Sequence, residues 1–209
     1  SELVVRSSII ERGDAEATAE NIPASEFLFR VGFAGDLLIF ICDVAVAVLL
    51  YVLLRPVSRT GSLVSAGFRL TGTAIYGVNL LNYFAALLIL GGSEYLGAFE
   101  PGQSNALALF FLDIHRHGYD LGLVFFGLHC LFLGYLIFRA DYFPRVLGIL
   151  MFLAGAGYVI GSFTLFLFPE LSGAIAFIYI APFAGELALG LYLSIKGLST
   201  DEFPGAALE

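Results

Sequence analysis

The stretch YDLGLVFFGLHCLFLGYLIF, residues 119–138, is apolar almost throughout. Asp120 and His129 are its only side chains that titrate near neutral pH or below. A helix rises 1.5 Å per residue, so about 20 apolar residues cross the roughly 30 Å hydrocarbon core of a bilayer. Four further stretches meet the same requirement, at 31–54, 66–91, 146–168 and 173–195. The sequence therefore predicts five transmembrane helices.

The composition agrees with a membrane location. Of the 209 residues, 59% are hydrophobic and 13% are charged, and the mean hydropathy is +0.90. Soluble domains contain about 45–50% apolar and about 25% charged residues. Backbone polar groups must be paired inside the bilayer, and the short alternating segments of a barrel are missing, so we predict an all-α, polytopic transmembrane helical bundle. The net charge of −8 offers no basic face for nucleic acid, so the expected partners are the lipid bilayer and other membrane protein subunits.

A single helical-bundle domain is expected over residues 1–197, followed by a polar C-terminal tail over residues 198–209. Because Met151 is the only methionine, Ser1 is not an initiator, and a further span before it would give six in the intact protein, five of them wholly present here. Cys42 and Cys130 lie in apolar stretches and are expected to be buried thiols rather than a disulfide.

Two pairs of glycines at a spacing of four predict close contacts between helices. They are Gly118 with Gly122, and Gly157 with Gly161.

Basic residues occur at every second connection between spans, and the positive-inside rule uses them to orient the chain. The basic positions are Arg55, Arg59 and Arg69 in or beside the first loop, Arg139 and Arg145 around the third, and Lys196 after the last span. The intervening loops contain Glu94, Glu100 and Glu170, with no Lys or Arg in 92–104 or 169–172. The basic loops and the C-terminus are therefore predicted to lie in the cytoplasm, in a cytoplasmic (inner) membrane.

Two segments outside the spans are predicted to lie at the membrane surface. Residues 14–29 begin with Asp14 as a helix cap and mix acidic with apolar residues. Residues 103–114 follow a Pro-Gly pair and could form an amphipathic surface helix. Alternatively, they continue through Gly118 into the third span as one long helix, and periodicity leaves both possibilities open.

Four polar side chains are predicted to share one level near the middle of the membrane: Asp43, Asn79, His129 and Glu186. At 1.5 Å per residue from the outer ends of their spans, each lies at a depth of roughly 16–21 Å. Ionisable residues are costly in a bilayer and mark functional sites there. Pro182, four residues before Glu186, is expected to kink its helix and free a carbonyl near the carboxyl group. We therefore predict that these four residues form a ligand-binding site.

A secondary outer cluster is predicted from Asp36, His115, His117 and Asp120. His117 lies three residues before Asp120 and four after Asp113, and on a helix such pairs share a face and could bind one ion. A hydrated turn with several polar residues explains the same pattern.

Three functions are compatible with these residues. The midplane site could bind an ion, a proton or a small ligand, with His129 as proton carrier or ligand. Asp43, His129 and Glu186 could instead hold a metal such as zinc in an intramembrane hydrolase, although no HExxH signature is present. The polar groups could also bond only to one another, in an accessory or structural subunit of a larger membrane complex. A water-accessible cavity reaching Asp43 and His129 would favour a binding site, and a dry core would favour the structural role.

Signatures of better-defined chemistry are missing from the sequence. His115, His117 and His129 lie in one segment rather than on facing helices, which does not suit haem ligation. No nucleophile elbow of the G-x-S-x-G type and no phosphate-binding glycine loop occurs. The sequence therefore identifies no cofactor and no catalytic residue.

Several strings resemble a known membrane family. They are VRSS at 5–8, GDA at 13–15, CDVA at 42–45, YVLLRPV at 51–57 and, most specifically, GYDLGLVFFGLHC at 118–130. The family is catalogued as domain of unknown function 4386, and the resemblance runs from about residue 1 to 197. It implies a six-helix bundle in the bacterial cytoplasmic membrane and carries no established activity, substrate or catalytic residue.

Overall fold

The structure is a computed structural model that describes residues 6–11, 13–92, 97, 99–171 and 173–196. Within them the α-helices are α1 Ser7–Ile9, α2 Ala15–Ala24, α3 Glu26–Leu54, α4 Arg59–Leu90, α5 Pro101–Arg139, α6 Arg145–Leu167 and α7 Ile180–Ile195. Short 3-10 helices cover Pro169–Leu171 and Ala176–Tyr179. Five helical segments are long and apolar enough to cross a membrane, namely α3, α4, α5, α6 and Phe177–Ile195. The predicted all-α, multi-pass membrane fold is confirmed, whereas the predicted tail at 198–209 lies outside the described residues.

The third span belongs to one continuous helix of 39 residues, α5. Pro101 begins it, at a position where the missing backbone N–H is not needed and the fixed φ suits a helix. Gly118 does not interrupt it. At 1.5 Å per residue α5 is about 58 Å long, almost twice the hydrocarbon core. Of the two alternatives for residues 103–114, the long helix is therefore the one that forms.

The prediction of a kink at Pro182 is wrong. A 3-10 helix precedes α7, which begins at Ile180, so Pro182 lies in the first turn. The amides of a first helical turn have no intrahelical acceptor, and proline there breaks no hydrogen bond. No carbonyl is freed beside Glu186 by this proline.

The chain divides into two compact units. The first contains residues 1–42 and 74–119, and the second contains residues 43–73 and 120–209. In the first unit, Phe29 stacks on Tyr83 with 3.9 Å between ring centroids, and both are fully buried with Ile9 and Ile22. The segment before α2 is held there by paired hydrogen bonds of 3.0 Å between Thr18 and the Glu11 backbone. Asp14 caps α2 as predicted, because its side chain accepts hydrogen bonds from the backbone amides of Glu16 and Ala17.

In the second unit, α5 and α6 approach each other at two pairs of glycines spaced seven residues apart. They are Gly127 and Gly134 in α5, and Gly148 and Gly155 in α6. A Cβ atom on Gly134 would lie 2.5 Å from the backbone nitrogen of Phe152, and one on Gly148 would lie 2.6 Å from that of Phe138. Only glycine lets two helix backbones come this near.

The glycines singled out by sequence also lie at close contacts. A Cβ on Gly157 would be 3.0 Å from the carbonyl oxygen of Ile178, and one on Gly161 would be 2.6 Å from the hydroxyl of Tyr179. Gly122 presents its carbonyl oxygen 3.3 Å from the Cβ position of Gly72 in α4. The predicted close approaches therefore join α6 to the residues around the start of α7, and α5 to α4.

The outer faces of the helices are strongly apolar. Exposed side chains include Leu49, Phe183 and Ile195, as expected for a surface in contact with lipid. Cys42 is exposed among such residues, whereas Cys130 is buried, and both are free thiols. The prediction of burial is thus right for Cys130 and wrong for Cys42.

Candidate functional site

Arg69 is the centre of a buried polar cluster in the second unit. It lies in the interior of α4, ten residues after the helix begins at Arg59. Its Nη2 donates to Oδ1 of Asp43 in α3, and the Thr73 hydroxyl donates to the other oxygen of the same carboxylate. The side chains of Asp43 and Arg69 are only 15% and 13% exposed. Both oxygens of Asp43 are therefore bonded, one of them to a permanent cation.

His129 of α5 completes the cluster on the other side of Arg69. Nη1 of Arg69 lies 3.0 Å from Nε2 of His129. Nδ1 of His129 lies 3.0 Å from the carbonyl oxygen of Ser65 and 2.9 Å from its hydroxyl. A guanidinium group can only donate, so Nε2 accepts and Nδ1 carries the proton. The geometry thus assigns His129 as a neutral imidazole with defined tautomer.

Helical spacing brings these groups together. Ser65, Arg69 and Thr73 follow one another at intervals of four along a single face of α4. On α5, Phe126 precedes His129 by three residues, and its ring centroid lies 5.1 Å from the guanidinium carbon of Arg69. This distance is within the range of a cation–π interaction. We call Asp43, Ser65, Arg69, Thr73 and His129 the Arg69 cluster.

The space on the Ser65 side of His129 is tightly packed. The packing between His129, Ser65, Ala47 and Leu50 leaves no space that would admit a water molecule. Nε of Arg69 is buried and has no acceptor among the described atoms. One buried donor at the centre of the Arg69 cluster thus stays unsatisfied.

Glu186 lies near the Arg69 cluster without a direct bond to it in the described contacts. The Tyr158 hydroxyl of α6 donates to Oε1 of Glu186 over 2.5 Å. The Glu186 carboxyl is half-buried and interacts electrostatically with Arg69 and Asp43. Of the four side chains predicted to form the midplane site, Asp43 and His129 are thus joined through Arg69, and Glu186 lies within electrostatic range.

Asn79, the fourth predicted residue, belongs to the first unit and has different partners. Its Nδ2 donates to the carbonyl oxygen of His115 over 2.6 Å, and Nδ1 of His115 lies 3.0 Å from the carbonyl oxygen of Asn79. Asn82 donates to its Oδ1 over 3.1 Å. Asn79 therefore fastens α4 to α5 within the first unit.

The residues of the predicted outer cluster are occupied separately. Asp36 forms a buried ion pair with Arg6, whose guanidinium carbon lies 4.8 Å from the ring centroid of Tyr83. His115 is buried against Asn79, whereas His117 is exposed with Nδ1 2.8 Å from the carbonyl oxygen of Asp113. Asp120 belongs to the second unit.

A metal would have to displace Arg69 from the residues proposed to hold it. Both Asp43 and Nε2 of His129 are bonded to the guanidinium group. Within the described residues, no group of three or more His, Cys, Asp or Glu side chains is placed to hold one metal ion. The same positions are filled by a cation of the chain itself.

Sequence reasoning missed Arg69 and Arg6 as interior residues. From sequence, Arg69 is grouped with the basic residues in or beside the first loop, because it lies only three residues inside the apolar stretch at 66–91. The interval of four from Ser65 to Thr73 was a usable signal, because it predicts a polar stripe on one helix face. Arg6 precedes the apolar spans, and no periodic pattern indicates its pairing with Asp36.

Comparisons with known proteins agree with the resemblance noted in the sequence. The family described as domain of unknown function (DUF4386) matches residues 1–197. An uncharacterized protein from Archaeoglobus fulgidus is 34% identical over 173 residues, which cover 80% of this chain and 85% of that protein. No solved structure matches the chain. The chain therefore belongs to the DUF4386 family.

Proposed function

We propose that the chain is a structural protein of the cytoplasmic membrane, an accessory or scaffolding subunit whose Arg69 cluster fastens α3, α4 and α5 together. One observation carries the proposal: Arg69 occupies the carboxylate of Asp43 and Nε2 of His129, the two groups that a bound cation would use. The packing beside His129, which excludes water, agrees with a closed core.

The charges of the Arg69 cluster also suit a core that holds no ligand. One carboxylate and one guanidinium cancel, and the imidazole is neutral. A cluster without net charge is far less costly in a low-dielectric interior than an isolated ion. Removing either member of the pair would leave the other buried and uncompensated, so the network enforces one arrangement of the three helices.

A double-mutant cycle tests this role. Asp43→Asn and Arg69→Gln are each expected to lower the free energy of unfolding by about 3–5 kcal/mol, as for other buried pairs that lose one partner. The double variant is expected to lose clearly less than the sum of the two. Arg30→Gln is the matched control, because Arg30 and Glu26 form an exposed pair worth less than about 1 kcal/mol. Additive losses, or single variants as stable as the control, would contradict the proposal.

The proposed orientation places the C-terminus in the cytoplasm. Arg139 and Arg145 flank the turn between α5 and α6, and Arg55 and Arg59 flank the turn between α3 and α4. The positive-inside rule therefore holds even when the buried Arg69 is left out of the count. Reporter fusions to the C-terminus test it: a fluorescent protein should fold there and a periplasmic phosphatase should stay inactive, and the opposite pattern would reverse the orientation.

Proton binding at Glu186 is a second candidate function. The observation that favours it is the 2.5 Å hydrogen bond from Tyr158, since no described Lys or Arg forms an ion pair with this half-buried carboxyl. A carboxyl group of this kind can exchange a proton as its surroundings change. Proton uptake by liposomes containing wild-type protein, lost in Glu186→Gln and kept in Glu170→Gln, would support it. Equal uptake at the background level by wild type and both variants would contradict proton binding at Glu186 and would favour the structural role.

A further inference from the structure

A cavity of about 640 Å³ opens between helix ends in the second unit. It is bounded by Pro56 and Val57 after α3, by the turn from Arg139 to Pro144 between α5 and α6, and by Tyr192 and Lys196 at the end of α7. Its volume is typical of sites for small molecules. The Arg69 cluster contributes no residue to its lining, so the cavity is a separate feature.

The charged side chains of the cavity favour an anion. Arg139 and Lys196 line it together with one carboxylate, Asp141, which leaves one net positive charge. Neither cation forms an ion pair with a described carboxylate. The helix dipoles give no additional attraction, because α3, α5 and α7 end at the cavity while only α6 begins there. An anion would therefore be held by the two side chains.

The remaining lining is of the kind expected where the hydrocarbon of a membrane meets water. Tyr142, Phe143 and Tyr192 contribute rings, which are typical of the headgroup level of a membrane. The Tyr142 hydroxyl donates to the carbonyl oxygen of Leu53 over 2.7 Å, which ties the turn to the end of α3. Large apolar side chains are exposed on the adjacent helix ends, with Val146 58% and Ile195 81% exposed. A ligand bound here would have an anionic part in the cavity and lipid beside it.

We propose that this cavity binds the phosphate group of an anionic phospholipid through Arg139 and Lys196. Basic pockets between transmembrane helices at the membrane surface are suited to anionic headgroups. Arginine can form two parallel hydrogen bonds to a phosphate, and lysine supplies a second positive charge. Free inorganic phosphate offers the same chemistry without the acyl chains, so the experiment must separate the two sources.

Native mass spectrometry of the detergent-purified full chain can count bound lipids and measure their affinity. Each basic residue near a surface contributes about 1 kcal/mol towards an anionic lipid, which corresponds to about fivefold in affinity. We expect phosphatidylglycerol to bind about fivefold more weakly to Arg139→Gln and to Lys196→Gln. Asp141→Asn removes the opposing carboxylate and is expected to tighten binding.

Arg145→Gln is the matched control, because Arg145 is a neighbouring exposed cation that does not line the cavity. Its affinity for phosphatidylglycerol should equal that of wild type. Equal weakening in Arg145→Gln and Arg139→Gln would overturn the site in favour of general surface charge, as would an unchanged affinity in Asp141→Asn. Phosphatidylcholine should bind more weakly than phosphatidylglycerol. Displacement of phosphatidylglycerol by an equal concentration of inorganic phosphate would overturn the assignment to a lipid.

Discussion

Replacing Gly148 by alanine is expected to destabilise the contact between α5 and α6. Its Cβ would lie 2.6 Å from the backbone nitrogen of Phe138 and 2.7 Å from the carbonyl oxygen of Gly134. An ordinary contact begins at 3.4 Å, so the two helices would have to separate by about 0.8 Å. Backbone atoms cannot rotate aside as a side chain could. Overpacking of this kind costs about 1–3 kcal/mol or more, and the gain in helix propensity of about 1 kcal/mol offsets only part of it.

Gly190→Ala is the matched control for this substitution. Gly190 lies inside α7 in the same unit, and a Cβ there would meet nothing within 4 Å. Only the helix-propensity gain acts, so this variant should be more stable than wild type by about 0.5–1 kcal/mol.

Thermal unfolding in one detergent should therefore shift in opposite directions for the two variants. For a chain of this size, about 1 kcal/mol corresponds to roughly 2–4 °C in Tm. A Gly148→Ala protein as stable as Gly190→Ala would refute the argument that the glycine pairs bring α5 and α6 into backbone contact.

Three further predictions concern one hydrogen bond, one buried ion pair and one titration. Tyr158→Phe removes the hydroxyl that donates to Glu186 and should lower the free energy of unfolding by about 1–3 kcal/mol. Tyr135→Phe, on the exposed surface, should leave it unchanged in the same unfolding assay. Asp36→Asn should lower the free energy of unfolding by about 1.5–3 kcal/mol because it removes a charged hydrogen bond to the buried Arg6 guanidinium, and a cost below that of an exposed pair would show the pair to be inert. Burial raises the pKa of the Tyr142 hydroxyl above its ordinary 10.0. The contribution of this hydroxyl to the free energy of unfolding is therefore fully present below pH 10 and is lost as the pH rises through the raised pKa. Over that pH range, the free energy of unfolding of Tyr142→Phe should fall less than that of wild type.

The transmembrane character of the fold was predictable because it depends on long apolar runs, which are local in sequence. The boundaries were less predictable, since helices continue beyond the hydrocarbon core wherever the backbone can remain helical. α5 extends 18 residues before Tyr119, through polar positions that no hydropathy threshold would include. At the start of α7 the α-helix is instead shorter than the apolar stretch. Residues Ala176–Tyr179 are apolar enough to belong to the predicted span at 173–195, but they form a 3-10 helix.

The polar contacts were less accessible from sequence because pairing depends on which helix faces meet. Depth counted from the outer end of each span groups Asn79 with Asp43 and His129, because it ignores the orientation of each side chain about the helix axis. In the structure Asn79 bonds to His115, and the partner shared by Asp43 and His129 is Arg69. A charged residue close to the end of a span can either orient the chain from a loop or pair with another charge in the interior. Composition does not distinguish these two roles.

The pairing of Asp43 with Arg69 does follow from the geometry of a helical hairpin. Asp43 lies 11 residues before the end of α3 at Leu54, and Arg69 lies 10 residues after the start of α4 at Arg59. At 1.5 Å per residue the two stand about 16 and 15 Å from the connecting turn, at nearly the same level. Adjacent antiparallel helices therefore bring the carboxylate and the guanidinium to the same level, so that the two groups pair once these faces of α3 and α4 meet. His129 comes from a later helix and supplies a neutral acceptor to Arg69, so the charges of the hairpin already cancel within α3 and α4.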